Sequence, residues 1–513
     1  TAPNGSVTSY EYGIHGNLVK VIHPDKTPDD LTDNPSTIYE YNDPNYPYAL
    51  TGEIDSNGQT KANWTYGADG RANSSVNNNG HKQTSVVYSS GSATVTEANG
   101  HQRTLAFDNK GRLSSLTGGN CGQCSSSDIT SYSYDNENRL ISEVDFNGVE
   151  TRYEYNSRGL QIKRTEAYGN ALARVITTQW HDTLSLPVQI KTPTSQTDYV
   201  YGVRGRLESI AETDLVVADN PVRVTTYRYH DNGLLASIDG PRSDVNDVTL
   251  FTYDDKFDLV SVTDATGNVT TITSRNANGY PTSMTDANGV ETTLSYDVRN
   301  RLISQTVSGN VTQFAYDNIG QLTKVTLPSG AVTEYVYNGA RLLTQIADGL
   351  GNSINYQYDV MGNVTKVEVK DPEGTLHASQ QQVFDDLNRV SSQVDGLNNT
   401  TTFGYDAVGN QTSVKTPLQK ETKQVYDALN RLSETTDTKE GKTTYGYDAA
   451  NNLTLVKAPN NAQTSYSYDG FGNLLTQTSP DTGTTVFTYD SAGNQLSKTD
   501  AKNVTVNYRY DAL

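Results

Sequence analysis

Apolar and polar positions alternate along most of the chain in short runs of five to seven residues, and turn-forming residues separate the runs. In the stretch TTYGYDAANNLTLVK, from Thr443 to Lys457, Tyr445 and Tyr447 are two positions apart and therefore lie on one face of a strand. An Asp, a short turn and a Leu follow, and a second Thr- and Val-rich run comes next. This pattern predicts strands joined as hairpins, and helical periodicity is absent almost everywhere.

The pattern recurs at a fixed interval, which is the signature of a repeat array. The second aromatic residue of the motif recurs every 21 residues from Phe384 to Tyr510, and about 23 copies cover the chain. Spacings in the N-terminal half vary from 19 to 29 residues, which indicates insertions. We predict one continuous array over residues 1–513, irregular in 1–295 and with a regular 21-residue period in 296–513. The ending YRYDAL stops inside a motif, so we expect a fragment of a longer protein.

Each copy contains two turn signals. The first is Asp-x-x-Gly-Asn/Arg, as in DSAGN from Asp490, where the Asp accepts backbone hydrogen bonds and Gly or Asn supplies the positive φ. The second follows about ten residues later, as in DANG or PDTG. The residues that we assign to the repeated motif as structural positions are Tyr134, Asp135, Tyr155, Tyr253, Asp254, Tyr296, Asp297, Tyr316, Asp317, Tyr337, Tyr358, Asp359, Tyr405, Asp406, Tyr426, Asp427, Tyr447, Asp448, Tyr468, Asp469, Tyr489 and Asp490.

The number of strands predicts the fold class, which is all-β. Two strands per copy give about 46 strands, and a twisted open sheet rarely exceeds about ten strands without curling. We therefore expect one long sheet of hairpins that spirals into a hollow shell or barrel. Leu, Ile, Val and Phe make up only about a fifth of the chain, so a dry aliphatic core is not expected and a polar lining is.

Composition narrows the functional class. The formal net charge of -20 argues against nucleic acid and against anionic membrane surfaces. No apolar run approaches the roughly 20 residues of a membrane span, and the N-terminal residues do not resemble a signal peptide. The 34 tyrosines, placed at regular intervals, favour an ordered protein over a disordered one.

The two cysteines, Cys121 and Cys124, lie in an insertion, GGNCGQCSSSD. A structural loop with a candidate disulfide is the favoured interpretation. Half of a zinc site and a redox pair remain open alternatives, although zinc usually needs four ligands and a redox motif needs a βαβ unit.

Other candidate sites are weaker. Clustered carboxylates could bind calcium, but the spacing of a calcium loop is absent and a solvated loop is favoured for Asp25, Asp29, Asp30 and Asp33 beside His23. No nucleophile elbow, phosphate loop or metalloprotease motif is present. We therefore predict no catalytic residue, no metal and no cofactor.

The motifs YDAVGN, YDSAGN, YDNIGQL and YDALNRL resemble the YD repeat of bacterial Rhs proteins, wall-associated polymorphic toxins, the C component of Tc toxin complexes and animal teneurins. The resemblance covers all 513 residues. It implies a hollow β-shell that encapsulates a C-terminal toxin domain in bacterial members and serves cell adhesion in teneurins. The Asp-Pro-x-Gly-Leu-rich segment that commonly closes such shells has no match here, nor has a toxin domain, so cleavage and toxicity are not assigned.

The resulting hypothesis is a non-enzymatic shell segment of a large secreted or surface-exposed bacterial protein. Its partner would be its own C-terminal toxin domain, outside this sequence, or neighbouring copies of itself. The alternative is a cell-surface adhesin or extracellular fibre whose repeats are the contact surface, including one that binds carbohydrate. Inward-facing Ser, Thr, Asn and charged residues would favour the shell, and outward-facing aromatic patches would favour the adhesin.

Overall fold

The structure is a computed structural model that describes residues 1–25, 34–77, 80–118 and 129–513. Cys121, Cys124, Asp29, Asp30 and Asp33 lie outside the described residues, so the interpretations of the cysteine pair and of most of the acidic cluster stay predictions.

The described residues form 45 strands, all assigned to one sheet. Residues 1–128 contribute β1 (Ser9–Tyr12), β2 (Leu18–Ile22), β3 (Ser36–Glu40), β4 (Gly52–Ile54), β5 (Thr60–Tyr66), β6 (Ala72–Asn77), β7 (Thr84–Ser89), β8 (Ser92–Thr96), β9 (Gln102–Phe107) and β10 (Leu113–Thr117). The next segment contributes β11 (Ile129–Tyr134), β12 (Leu140–Val144), β13 (Glu150–Tyr155), β14 (Gln161–Glu166), β15 (Arg174–Trp180), β16 (Pro187–Lys191), β17 (Ser195–Tyr201), β18 (Leu207–Asp214), β19 (Val222–Tyr229), β20 (Leu235–Asp239), β21 (Val248–Tyr253), β22 (Leu259–Thr263) and β23 (Val269–Arg275).

The C-terminal half continues in the same way. It contributes β24 (Pro281–Thr285), β25 (Glu291–Tyr296), β26 (Leu302–Val307), β27 (Asn310–Tyr316), β28 (Leu322–Thr326), β29 (Val332–Tyr337), β30 (Leu343–Asp348), β31 (Ser353–Tyr358), β32 (Val364–Lys370), β33 (Leu376–Phe384), β34 (Val390–Val394) and β35 (Thr400–Tyr405). The last strands are β36 (Gln411–Lys415), β37 (Glu421–Tyr426), β38 (Leu432–Thr436), β39 (Lys442–Tyr447), β40 (Leu453–Lys457), β41 (Gln463–Tyr468), β42 (Leu474–Ser479), β43 (Gly483–Tyr489), β44 (Gln495–Thr499) and β45 (Thr505–Asn507).

Consecutive strands pair antiparallel, as in β39 with β40 and β40 with β41. The helical structure in the described residues is confined to short 3-10 turns, among them Val203–Gly205. The prediction of an all-β array of hairpins in one long sheet is therefore confirmed.

A β-bulge recurs in almost every hairpin at the second aromatic residue of the motif, which we call the marker tyrosine. In β39 and β40, Gly446 pairs with Leu455 but Tyr447 pairs with Leu453, so Thr454 is the extra residue. The same shift occurs at Tyr134, Tyr316 and Tyr489. Because a bulge increases the local twist and redirects side chains, its position just before the turn sets the direction of the marker tyrosine in each copy.

The two faces of the hairpins differ. In β41, Tyr466 and Tyr468 are half-buried on one face, whereas Ser465 and Ser467 are exposed on the other. Hydroxyls on the polar face pair across strands, as in Ser295 with Ser304, Thr252 with Ser261, Ser467 with Thr476 and Thr488 with Ser497, at 2.6–2.7 Å. One face is therefore aromatic and the other is rich in hydroxyls that already have partners.

The chain divides into two compact units, each built from two distant segments. The first unit comprises Thr1–Asp128 and Thr271–Phe403, and the second comprises Ile129–Thr270 and Gly404–Leu513. Neither has a thick apolar core in its described part: the buried apolar residues are Val21, Ile22, Ala62 and Ala93 in the first and Ala167 in the second. Hydrogen bonding and half-buried aromatic rings must therefore provide much of the cohesion within each unit.

Candidate functional site

The turn after the marker tyrosine, here called the YD turn, is organised by one carboxylate. Asp448 Oδ1 accepts the backbone N–H groups of Ala450 and Asn452, each at 2.8 Å, and Oδ2 accepts the side-chain amide of Asn452 at 3.0 Å. Asn451 closes the turn with a φ of 72°, a conformation that Asn tolerates better than other side chains. Oδ1 accepts two backbone N–H groups in the same way at Asp135, Asp254, Asp297, Asp317, Asp359, Asp427, Asp469 and Asp490. Asp406 accepts the N–H groups of Gly409 and Asn410.

The marker tyrosine joins its copy to the preceding one. The hydroxyl of Tyr447 donates to the backbone carbonyl of Leu432 at 2.8 Å, across two strands of the sheet. The same bond joins Tyr155 with Leu140, Tyr316 with Leu302, Tyr337 with Leu322 and Tyr358 with Leu343. In these copies the hydroxyl provides a link that a Phe at this place, such as Phe384, cannot make.

Some copies end the YD turn with Arg instead of Asn, and this Arg adds a second link to the next copy. Arg431 pairs with Asp427 Oδ2 at 2.8 Å, lies 4.8 Å from the centroid of the Tyr447 ring and donates to the carbonyl of Asp448 at 2.8 Å. Arg139 and Arg301 make the equivalent three contacts. A guanidinium suits this role because its planar donors can bond several oxygens while its face covers a ring.

The remaining marker tyrosines are held by other contacts or lie half-buried. Tyr253 packs edge-on against His230, with ring centroids 5.8 Å apart, and Tyr296 lies against Tyr280 at 5.6 Å. Tyr134, Tyr405, Tyr426, Tyr468 and Tyr489 occupy the same strand-end position on the half-buried face. Ring contacts, hydroxyl links and guanidinium contacts thus hold the marker tyrosines, and no pattern of apolar residues predicts the last two.

Replacing Tyr447 with Phe should lower the free energy of unfolding by about 0.5–1.5 kcal/mol, because the carbonyl of Leu432 loses its tyrosine donor. Chemical denaturation monitored by circular dichroism measures the change. Tyr445→Phe is the matched control, since the Tyr445 hydroxyl has no hydrogen-bond partner in the described part of the chain. Equal losses for the two variants would contradict the role given to the marker hydroxyl.

The turn carboxylates make stability depend on pH. The side-chain amide of Asn352 donates to Asp348 and holds the pKa of that carboxyl below its usual value, as the amide of Asn399 does for the pKa of Asp395. The guanidinium of Arg112 lowers the pKa of Asp108 in the same way. Because the unfolded pKa of Asp is about 3.9, the unfolded chain binds protons first as the pH falls. The stabilisation is present above about pH 4 and is lost below it.

We therefore expect the urea midpoint to be nearly constant from pH 7 to 5 and to fall steeply below about pH 4. Asp348→Asn and Asp395→Asn should be less stable at pH 7 and should flatten the acid limb. A midpoint that is unchanged at low pH would contradict this account.

A second set of contacts joins the two segments within each unit; we call it the seam. In the first unit, Asp55 Oδ2 pairs with Arg341 at 2.9 Å, the backbone N–H of Lys82 donates to the carbonyl of Val360 at 2.7 Å, and Asn99 donates to the carbonyl of Asp386 at 2.9 Å. On the early segment these residues lie in or beside second turns, and on the late segment they lie in YD turns. Partners in the hydrogen bonds of this seam are 274 to 294 residues apart.

In the seam of the second unit, too, second turns of the early segment contact YD turns of the late segment. The side chain of Asp214 is fully buried; its Oδ1 accepts the N–H groups of Val216 at 2.7 Å and Val217 at 3.0 Å, and its Oδ2 accepts the N–H of Gly470 at 2.8 Å. A Cβ at Gly470 would overlap the carbonyl oxygen of Thr194 and the Asp214 carboxylate. This glycine therefore permits the close approach of a YD turn to the buried carboxylate.

Arg242 provides another contact in this seam. Its side chain is 4% exposed, pairs with Asp244 at 2.8 Å and with Asp490 at 3.4 Å, and donates to the carbonyl of Asp511. Asn147 donates to Asp406 Oδ2 at 3.2 Å. Of the motif positions assigned from sequence, Asp359, Asp406 and Asp490 therefore also contact the other segment of their unit. Sequence reasoning missed Asp214, Gly470, Asp55, Arg341 and Arg242, since none departs from the composition of an ordinary turn.

The described residues contain no group of three or more His, Cys, Asp or Glu placed to hold a metal ion. They also contain no helix that is both long and apolar enough to cross a membrane.

Comparison with known proteins places these features in context. A family model described as Teneurin YD-shell matches residues 244–458, and one described as RHS Repeat matches residues 134–171 and 452–485. No curated protein matches the chain.

Two similar solved structures are those of TcdB2-TccC3 without its hypervariable C-terminal region and of TcdB2-TccC3. The first has 14% sequence identity and a TM-score of 0.64, with 96% of this chain and 31% of that chain covered. The second has 15% identity and a TM-score of 0.60, with 98% and 29% covered. At such identities the likeness concerns the fold alone. The chain spans about a third of the length of these solved chains.

Proposed function

We propose that this chain, a member of the Rhs/YD-repeat family, is the wall segment of an encapsulating shell in a large secreted or surface-exposed bacterial protein. In this proposal the shell sequesters and delivers a C-terminal toxin domain that lies outside the sequence. The segment acts structurally and without catalysis, through a hydrogen-bonded sheet that separates its cargo from the surroundings.

The observation that carries the proposal is the seam. A sheet encloses a space only if its turn-lined margins are closed, since a gap there would admit water and proteases. In both units the second turns of the early segment contact the YD turns of the late segment, and the contacts include fully or largely buried carboxylates, Asp214 and Asp55. Such contacts are expected of a wall and are unnecessary for an open ribbon whose face is the contact surface.

The polar face gives further support. Its hydroxyls pair with one another across strands, as Ser467 does with Thr476 and Thr488 with Ser497, and Lys324 pairs with Glu334 at 3.1 Å. A donor that already has a partner gains little by binding cargo. A face of this kind could line a cavity without holding an unfolded polypeptide irreversibly.

The test uses the full-length protein. Cryo-electron microscopy should show a closed wall with additional density inside, and protease should leave the C-terminal domain intact. In the Asp214→Ala variant the same domain should become sensitive to protease, whereas the exposed control Asp231→Ala should protect it as the wild type does. An empty array packed end to end with copies of itself would overturn the proposal in favour of an adhesin or fibre.

A further inference from the structure

One copy departs from the YD turn in a way that leaves a cation without its usual partner. In the turn between β17 and β18, Gly202 stands where other copies have Asp, while Arg206 keeps the place of the turn Arg. Where the Asp is present, the Arg at this place pairs with it at 2.6–2.8 Å, as in Arg139 with Asp135, Arg301 with Asp297, Arg389 with Asp385 and Arg431 with Asp427.

Arg206 makes no ion pair in the described part of the chain. Its guanidinium lies 5.8 Å from the centroid of the Tyr229 ring, so it keeps the ring contact of the other turn arginines without their carboxylate. The carboxylate of Glu208 fills the space that a Cβ at Gly202 would occupy. Glu208 thus replaces the missing side chain in space but does not pair with Arg206.

These residues surround an open cavity of about 690 Å³, lined by Val203, Arg206, Glu208, Thr226 and the segment 227–231. This volume lies within the range of small-molecule sites in proteins. Arg228, another lining residue, likewise makes no ion pair in the described residues.

The 3-10 turn at Val203–Gly205 forms a projecting rim beside the cavity. Val203 is 82% exposed, and Arg204 has a φ of 66°, a left-handed conformation that is costly for a non-glycine residue.

We propose that this cavity binds an acidic saccharide, whose carboxylate pairs with Arg206 and whose ring hydroxyls donate to Glu208. A guanidinium bonds a carboxylate through two parallel N–H groups. Glu208 can accept hydrogen bonds from sugar hydroxyls. The negative charges of Glu208 and Asp231 disfavour a dianionic phosphate. A saccharide that combines carboxylates with several hydroxyls matches the two unpaired guanidinium groups, Arg206 and Arg228, among polar groups.

The test is calorimetric titration of the 513-residue chain with a trimer of galacturonate, with a neutral galactose trimer as the matched probe. The uronate should bind and the neutral trimer should bind at least about 10-fold more weakly, because the charged hydrogen bonds to Arg206 are lost. Arg206→Gln should weaken uronate binding by about 10- to 100-fold. Arg204→Gln, which changes an exposed neighbouring cation, should leave it within about two-fold.

The Gly202→Asp variant tests whether Arg206 is available to a ligand because the turn lacks its usual carboxylate. The new carboxylate restores the turn found in the other copies and should pair with Arg206, since the flexible end of Glu208 can move aside. Uronate binding should then fall as in Arg206→Gln, while the melting temperature is maintained or raised. The proposal is overturned if uronate does not bind at about 10 mM, if the neutral trimer binds equally well, or if Arg206→Gln has no effect. Binding of a peptide with a free C-terminal carboxylate in place of the uronate would overturn it in favour of a peptide site.

Discussion

Asp214→Ala should lower the free energy of unfolding of the second unit by about 3–5 kcal/mol, the largest effect expected of any single substitution here. Three backbone N–H groups, those of Val216, Val217 and Gly470, lose a charged acceptor in a site without access to water. Asp214→Asn should also be costly, because its amide group would direct a donor towards one of these N–H groups. Urea denaturation of the chain measures both effects.

Gly470→Ala approaches the same contact from the other segment. Its Cβ would overlap the carbonyl of Thr194 and the carboxylate of Asp214, so we expect a loss of about 1–3 kcal/mol. The preceding YD turn carries Ala449 at the equivalent place, which shows that the turn itself accepts a methyl group. Asp231→Ala, at an exposed turn position, is the control. If Asp214→Ala were no more harmful than this control, the buried contact would not be a determinant of stability.

Asp55→Ala should lower the stability of the first unit by about 2–4 kcal/mol. Asp55 Oδ1 accepts the N–H groups of Asn57 at 2.9 Å and Gln59 at 3.0 Å, and Oδ2 pairs with Arg341. The Asp55 side chain is only 4% exposed, whereas that of Arg341 is 34% exposed, so part of the ion-pair energy is screened by solvent. The loss should therefore come mainly from the two unsatisfied N–H groups.

A double-mutant cycle with Arg341 separates the two contributions. Arg341 has a φ of 63°, so Arg341→Gly removes the ion pair and relieves backbone strain at once. We expect Arg341→Gly to cost less than Asp55→Ala, and the double variant to be close to Asp55→Ala alone. Strict additivity in urea denaturation would show that the two side chains do not interact.

The hairpin, the YD turn and the marker tyrosine could be predicted from the sequence because each depends on residues close together in the chain. Asp448 and Asn452 are four positions apart, and the turn follows from their side-chain chemistry and from the positive φ of Asn451. The 21-residue period repeats the same turn in every copy. A copy that departs from the motif can therefore still be recognised by its spacing from its neighbours. The spacing between Tyr358 and Phe384 is longer than 21 residues. The additional residues lengthen β32 and β33 to 7 and 9 residues.

The hydroxyl link of the tyrosines could have been inferred only in part. Alternation places Tyr445 and Tyr447 on one face but does not distinguish them, although only the second donates to the preceding copy. The difference arises from the bulge at Thr454, which redirects the strand end, and a bulge leaves little trace in a pattern of apolar and polar positions.

The sequence by itself determined the strands, their antiparallel order and the capped turns, because backbone hydrogen bonding and turn chemistry act over a few residues. Only the tertiary structure decided the seam. Asp214 meets Gly470, 256 positions away in the sequence, and Asp55 meets Arg341, 286 positions away. No local propensity selects such partners: they are fixed by the accumulated twist and length of the intervening strands. Arg206 required both the sequence and the tertiary structure. The sequence shows that its turn lacks the usual Asp, and only the fold shows the cavity beside Arg206.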